Sequence, residues 1–332
     1  MGIRMILVAL GIALAVSALP ARAGLISSVV AFGDSLIDAG NVDAMPVRPP
    51  QPPSPYVGGR YTNGPTPTEV LSARLGVPLI SYAIGGAQSG VGNIDVDPPA
   101  GSPTDYCSNA LVDPSAFCTG VRSQVAQYLS TTQGQADAAA LYVVMGGSND
   151  FLALPSDADA LDFLEVAGAV IANLVTTVGD LHGAGARQFL LPLLPDIGAA
   201  PAVQSQAVTA LMSQVNGLLL QAYGQLLAGI SQVDPNVQFT LFDTFSAQQA
   251  LMPLYANSTT ACLQPDPNSG FSECADPASH FFWDDLHPTA DVSARLGDQL
   301  VALVVPEPGM LALLAVAIPL LGLRRRAAAS RV

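Results

Sequence analysis

The sequence predicts a single α/β domain of three layers, with helices on both faces of a parallel sheet. Three observations support this. Five short β-rich runs, at residues 28–32, 78–82, 140–145, 188–192 and 238–242, recur along the chain. Stretches suited to helices lie between or after them, at 66–75, 121–133, 158–182, 202–233 and 290–304. The strands read as continuous apolar runs rather than alternating ones, the pattern of strands buried on both faces.

The elements are punctuated in order. The first strand ends in Val30-Ala31-Phe32 and runs into Gly33-Asp34-Ser35-Leu36-Ile37-Asp38-Ala39-Gly40-Asn41. The second ends in Ser81-Tyr82-Ala83-Ile84-Gly85-Gly86-Ala87, and the third in Met145-Gly146-Gly147-Ser148-Asn149-Asp150. The long helix at 158–182 closes on His182 before Gly183. Proline- and glycine-rich segments at 45–67, 92–105 and 264–278 read as surface loops. No internal repeat is present. In such sheets chemistry gathers beyond the carboxyl ends of the strands, so the residues just after each strand matter most.

Both termini fall outside this domain. Residues 1–23 carry Arg4, an apolar run from Met5 to Leu19, and Ala21-Arg22-Ala23, the layout of a secretory signal peptide removed by signal peptidase after Ala23. The domain then covers 24–304. Residues 305–332 hold Pro306-Glu307-Pro308, an apolar stretch to Leu323 and Arg324-Arg325-Arg326. Fifteen apolar residues are short of the roughly 20 that span a bilayer, unless the count starts at Pro306 and the arginines snorkel. The order resembles the PEP-CTERM sorting signals of Gram-negative bacteria. That resemblance implies an exosortase-type sorting enzyme as partner, transient membrane anchoring, and release to the cell surface or extracellular polymer. An ordinary C-terminal anchor is the other reading.

Between the termini, 25 acidic side chains face six arginines, a net charge near −19, and the chain has no lysine. Such a surface repels phosphate polymers, which excludes a nucleic-acid role. Four cysteines form two close pairs, Cys107/Cys118 and Cys262/Cys274. Three connectivities are open; export and spacing favour 107–118 and 262–274, each stapling a loop. With no Cys-x-x-Cys or histidine cluster, no metal site is expected, and no cofactor.

Four post-strand or C-terminal segments carry chemical groups. Ser35 after the first strand would sit at a helix start, where N–H groups favour developing negative charge; the other reading makes Asp34 or Ser35 a plain cap of that helix. Gly85-Gly86 lets the backbone approach a substrate, or makes a tight turn. Asn149 offers a neutral donor to an oxyanion, or belongs to a polar turn, with Asp150 fixing the loop. Asp284 three residues before His287 suits an oriented base; Asp285 is adjacent but wrongly spaced. Of the other histidines, His182 complements a helix dipole and His280 lies near enough to line a pocket.

These strings together resemble the GDSL branch of the SGNH hydrolases. The family's first block, Phe-Gly-Asp-Ser-Leu-x-Asp-x-Gly-Asn, matches from Phe32 to Asn41. Its second, Asn-Tyr-Ala-x-Gly-Gly-Ala, matches at 81–87 with Ser81 for asparagine. The Gly-x-Asn-Asp block falls at 147–150, and Asp-x-x-His-Pro at Asp284, His287 and Pro288. Gly59-Arg60-Tyr61-Thr62-Asn63-Gly64, followed by Glu69, resembles a further stretch of lipase-like members and reads as loop architecture. No Gly-x-Ser-x-Gly elbow is present. The resemblance implies a flavodoxin-like, five-stranded parallel sheet and a carboxylic ester hydrolase. Ser35 is its nucleophile, His287 the base and Asp284 the orienting carboxylate. Ser35 N–H, Gly86 N–H and the Asn149 amide form the oxyanion hole. Activity is expected to fall below about pH 6–7 as the base gains a proton.

The substrate stays open between lipid esters, which the block spacing favours, and acetylated extracellular polysaccharide, which the sorting tail favours. An acyltransferase using the same acyl-enzyme, and a non-catalytic matrix protein keeping the fold, are the competing functions. The first is separated by transfer to an added alcohol; the intact blocks weigh against the second.

Overall fold

The computed structural model describes residues 26–41, 52, 54–94, 118–267 and 270–305. The expected signal peptide, the sorting tail and Cys107 lie outside these residues.

Five strands, β1 (Val29–Phe32), β2 (Leu79–Ser81), β3 (Leu141–Val144), β4 (Gln188–Pro192) and β5 (Gln238–Phe242), form one sheet in the order β2-β1-β3-β4-β5. Every pairing in it is parallel. This is the flavodoxin-like order, in which the chain changes direction of travel across the sheet between β1 and β3, the switch point where ligands bind.

Because side chains alternate across a strand, each strand feeds two cores. Val30, Phe32, Tyr142, Val144, Phe189 and Leu191 point to one layer, shared with α2 (Val121–Thr131), α4 (Ala160–Gly183) and α5 (Gln206–Val233). Val29, Ala31, Leu141, Val143 and Leu190 point to the other, shared with α1 (Pro67–Leu75), α6 (Thr244–Leu251) and α7 (Ala290–Val304). Helix α4 is apolar and long enough to cross a membrane, but Phe163, Ala167, Val170, Leu174, Val178 and Leu181 form a buried stripe at helical spacing, placing it on the sheet.

The helix ends are chemically set. Thr66 and Glu69 make a reciprocal capping box at the start of α1, and Asp159 with Asp162 does so for α4. Helix α5 begins at Gln206, not near residue 202 as the sequence suggests, because the Ser205 side chain caps it by accepting from Val208 N–H. Helix α2 stops at Thr131, where Gln133 and Gly134 take positive φ.

Two further corrections concern segments with no sequence signature of order. The short helix α3 (Ser148–Leu152) follows β3 directly. The expected loop around 264–278 instead carries a hairpin, β7 (Leu263–Asp266) with β8 (Gly270–Glu273), beside a parallel pair, β6 (Asn257–Ala261) with β9 (His280–Phe282). The Cys262–Cys274 disulfide closes the base of that hairpin. This pairing is fixed by the crosslink and the backbone ladder, so it needs no apolar alternation. Beneath it Cys262, Leu263 and Trp283 form a small satellite core.

Candidate active site

The Ser35 segment departs from expectation in its backbone. Residues 35–37 form a single turn, not the first turn of a helix. Ile37 N–H bonds Asp34 C=O, but the next donors are taken by side chains. Asp34 Oδ1 accepts from Leu36 N–H at 3.1 Å, and Asp38 Oδ1 from Gly40 and Asn41 N–H at 2.9 and 2.6 Å. These carboxylates compete with main-chain carbonyls and divert the chain from helix, and Gly40 at φ 104° turns it away. The charge stabilisation expected of a helix N-terminus therefore falls to discrete donors.

The same motif ties the site's loops together. Gln124, from α2, donates to Gly33 C=O at 2.7 Å and accepts from Gly33 N–H at 2.8 Å. Asp38 Oδ2 accepts from Gly85 N–H at 2.8 Å, while Asn41 Nδ2 donates to the carbonyls of Ser81 and Ala83. Gly86 sits at φ 76°, a conformation costly for any residue with a Cβ. Among the described residues the N–H groups of Ser35 and Gly86 donate to no protein acceptor. Asn149, in the first turn of α3, spends one amide hydrogen on Ala87 C=O at 2.9 Å and keeps the other. Asp150 accepts from Ser89 N–H and Oγ, holding the loop from Ala87 in place.

The C-terminal group meets Ser35 across the whole sequence. His287 Nε2 lies 2.8 Å from Ser35 Oγ, and Nδ1 lies 2.8 and 2.9 Å from the two Asp284 oxygens. With the proton on Nδ1, Nε2 is free to accept from the serine hydroxyl. Asp284 also accepts from Leu286 N–H, His287 N–H and Tyr56 OH. Burial works against its charge, but His287 and these N–H donors outweigh it, holding the carboxyl below its usual range. Asp34 behaves oppositely: burial pushes its carboxyl up to about 6, against the pull of Leu36 N–H and His287. Its Oδ2 has no hydrogen-bond partner among the described residues.

One contributor carries no signal in the sequence, and the 59–64 segment, read there as loop architecture, does more than that reading gave it. Tyr56 lies in a proline-rich segment with nothing to mark it, yet it bonds Asp284 and packs its ring edgewise on buried Trp283. Tyr61 lies over the His287 imidazole, ring centres 5.0 Å apart. The 59–64 segment props that side of the site: Thr62 Oγ1 donates to Pro288 C=O, and Asn63 Oδ1 accepts from Ala290 N–H. Arg60 forms a two-point pair with Glu69 and bonds Val57 and Gly58 carbonyls, so it shapes this loop.

The remaining candidates sit elsewhere. His280 Nδ1 faces Asp276 C=O, Ser279 Oγ and Cys274 Sγ, outside the Ser35 cavity. His182 pairs with Asp234. Cys262, Cys274 and His280 cluster as metal ligands do, but the two sulfurs are joined to each other and offer no thiolate pair. The expected Cys107–Cys118 pairing involves a residue outside those described.

Ser35, Gly86, Asn149 and His287 open onto one cavity of about 240 Å³. Together they set a hydroxyl against an oriented imidazole, with neutral donors on the facing side, an arrangement suited to attack on a carbonyl and charge stabilisation on its oxygen.

Comparison with known proteins places the chain among relatives of one family. The chain is 26% identical over 299 residues to the thermolabile hemolysin of Vibrio parahaemolyticus, covering 83% of this chain and 63% of that protein. It is 25% identical over 319 residues to a GDSL esterase/lipase of Arabidopsis thaliana, covering 81% and 86%. Among solved structures, an acetylxylan esterase from Geobacillus stearothermophilus aligns at 16% identity and TM-score 0.44, covering 86% of this chain and all of that one. The profile of GDSL-like lipases and acylhydrolases matches residues 29–300, nearly the whole described domain, so the chain belongs to that family and its site is that of a carboxylic ester hydrolase.

Proposed function

We propose that this protein is an exported serine ester hydrolase that works through an acyl-enzyme on Ser35. The contact between Ser35 Oγ and His287 Nε2, 2.8 Å across 252 residues of sequence, is the observation that carries the reading. His287 takes the hydroxyl proton as Oγ bonds the ester carbon. The Ser35 and Gly86 N–H groups and the Asn149 amide receive the oxyanion, donors of a kind worth roughly 3–4 kcal/mol each in the transition state. The carbon–oxygen bond to the alcohol then breaks, and His287 returns the proton to that alcohol. Water, deprotonated by the same imidazole, attacks the acyl-enzyme, releasing the acid and restoring Ser35. Asp284 stays ionised throughout and stabilises the imidazolium.

Export rests on the layout of residues 1–23 and on the tail at 305–332. It predicts a mature N-terminus at Gly24, read by mass spectrometry of the secreted protein. The activity itself is tested with p-nitrophenyl esters and a fluorophosphonate probe. The wild type is expected to turn over the ester and to label at Ser35. Ser35→Ala should do neither while keeping its circular dichroism; retained turnover in that variant would refute the mechanism.

A further inference from the structure

The β7–β8 hairpin has no part in the five-stranded sheet, yet it lies against the Asp284 side of the site. Its register sets Leu263 opposite Glu273 and Pro265 opposite Phe271. Side chains alternate along a strand, so Leu263 and Phe271 share one face. That face looks inward. Leu263 is buried with Cys262 and Trp283 in the satellite core, and Phe271, Tyr56 and Cys274 pack against them.

The hairpin is fastened at its base. The Cys262–Cys274 disulfide joins its two sides, and Cys274 N–H donates to Cys262 C=O at 2.9 Å. Cys262 N–H donates to Phe282 C=O at 3.0 Å, and Leu263 N–H to Trp283 C=O at 2.6 Å. These bonds tie it to the run of chain that leads into Asp284. Trp283 N–H in turn donates to His287 C=O at 2.7 Å, closing the turn that holds Asp284 and His287. Trp283 is 1% exposed, and its indole N–H has no partner among the described residues. Packing, not a side-chain hydrogen bond, therefore orients the indole.

Rings orient Tyr56 as well. It stands in an irregular segment, outside any helix or strand. Phe271 meets it edge-on, with ring centres 6.1 Å apart and planes at 87°, and Trp283 does so from 6.3 Å at 84°. Such pairs prefer this geometry for reasons beyond the area they bury. The hydroxyl that the packing aims donates to Asp284 Oδ2 at 2.8 Å, the oxygen lying 2.8 Å from His287 Nδ1. Asp284 Oδ1 accepts from the N–H groups of Leu286 and His287. The carboxylate plane is thus set by main chain at one oxygen and by Tyr56 at the other. Burial and the Asp284 charge push the phenol well above its usual range, which keeps it a donor.

Building on the ester-hydrolase reading, we infer that the disulfide-closed hairpin positions the Asp284–His287 pair, with Phe271 as a positioning residue that acts through Tyr56. Phe271 does not line the Ser35 cavity. It limits the swing of the Tyr56 ring, and the hydroxyl at the end of that ring fixes the carboxylate that orients the imidazole.

The test is a double-mutant cycle on the full chain. It reads kcat and KM with a p-nitrophenyl ester for wild type, Phe271→Ala, Tyr56→Phe and the two combined. Phe271→Ala should lower kcat roughly two- to ten-fold, the span that loss of one edge-on aromatic contact gives, with KM little changed. Added to Tyr56→Phe it should lower kcat no further, because the hydroxyl it orients is already gone. Should circular dichroism show Phe271→Ala misfolded, Phe271→Leu, which keeps bulk but no ring edge, takes its place with the same expectations. An unchanged kcat in either single variant, or a loss that multiplies with that of Tyr56→Phe, overturns the positioning role and leaves the hydrolase standing. A wild type that turns over no p-nitrophenyl ester and takes no fluorophosphonate label overturns the hydrolase, and the positioning role with it.

Discussion

Asp34 offers a sharp test of the site's electrostatics, because it is a carboxyl beside Ser35 with almost no access to water. It is 1% exposed, one oxygen has no partner among the described residues, and burial raises it from 3.8 to about 6. A carboxyl whose folded-state value is raised binds more protons folded than unfolded between those two values. Its contribution to stability is thus fully present below about pH 4 and is lost as pH rises through 6. That rise, from 3.8 to about 6, amounts to about 3 kcal/mol at 1.36 kcal/mol per tenfold change in proton affinity. Asp34→Asn keeps the shape and the acceptor for Leu36 N–H but cannot ionise. Its stability relative to wild type should therefore rise by about 3 kcal/mol between about pH 4 and pH 8, levelling off above about pH 7. Urea unfolding at a series of pH values measures this through the midpoint and slope. Taking the difference between the two proteins cancels the titrating groups that do not interact with Asp34, leaving only those coupled to it, His287 and Asp150. A difference that stays constant across that range would show that Asp34 does not meet the desolvation the structure gives it.

Other perturbations follow from single contacts. Tyr56→Phe removes the hydroxyl donated to Asp284 at 2.8 Å; hydrogen bonds to charged groups are worth about 1.5–3 kcal/mol, so kcat should fall roughly ten-fold or more with KM little changed, and an unchanged kcat counts against a positioning role. Asn149→Ala deletes an oxyanion donor and should lower kcat by about 10²–10³ with little effect on KM; circular dichroism must show the loop intact, since the same amide holds Ala87. Replacing both Cys262 and Cys274 with serine opens a loop of sequence separation 12 and should cost about 2–3 kcal/mol, seen as a lower urea midpoint; an unshifted midpoint rejects the staple as a source of stability.

Much of the fold is legible in the sequence because its signals are local. Strands β4 and β5 and helix α7 begin and end where their apolar runs and flanking residues place them. Strand order is not local, but continuous apolar strands separated by helices leave few parallel arrangements. The misreadings share one cause. The turn at Ser35, the start of α5 and the 263–273 hairpin all depend on which partner takes a backbone donor or acceptor. Asp34, Asp38 and Ser205 win those bonds through side chains, and a disulfide closes the hairpin.

The sequence by itself marked the candidate reacting groups of this protein. Each sits in a short contiguous string, Phe32 to Asn41, 81–87, 147–150 or 284–288, whose residue types follow from what acyl transfer demands. Only the tertiary structure decided how they are held and what they face. Tyr56 reaches Asp284 across 228 residues, and Gln124 clamps Gly33 across 91. The burial that perturbs Asp34 and the cavity onto which Ser35, Gly86, Asn149 and His287 open are properties of packed layers. No stretch of chain encodes them alone, because solvent exclusion belongs to the assembly of elements and not to any one of them.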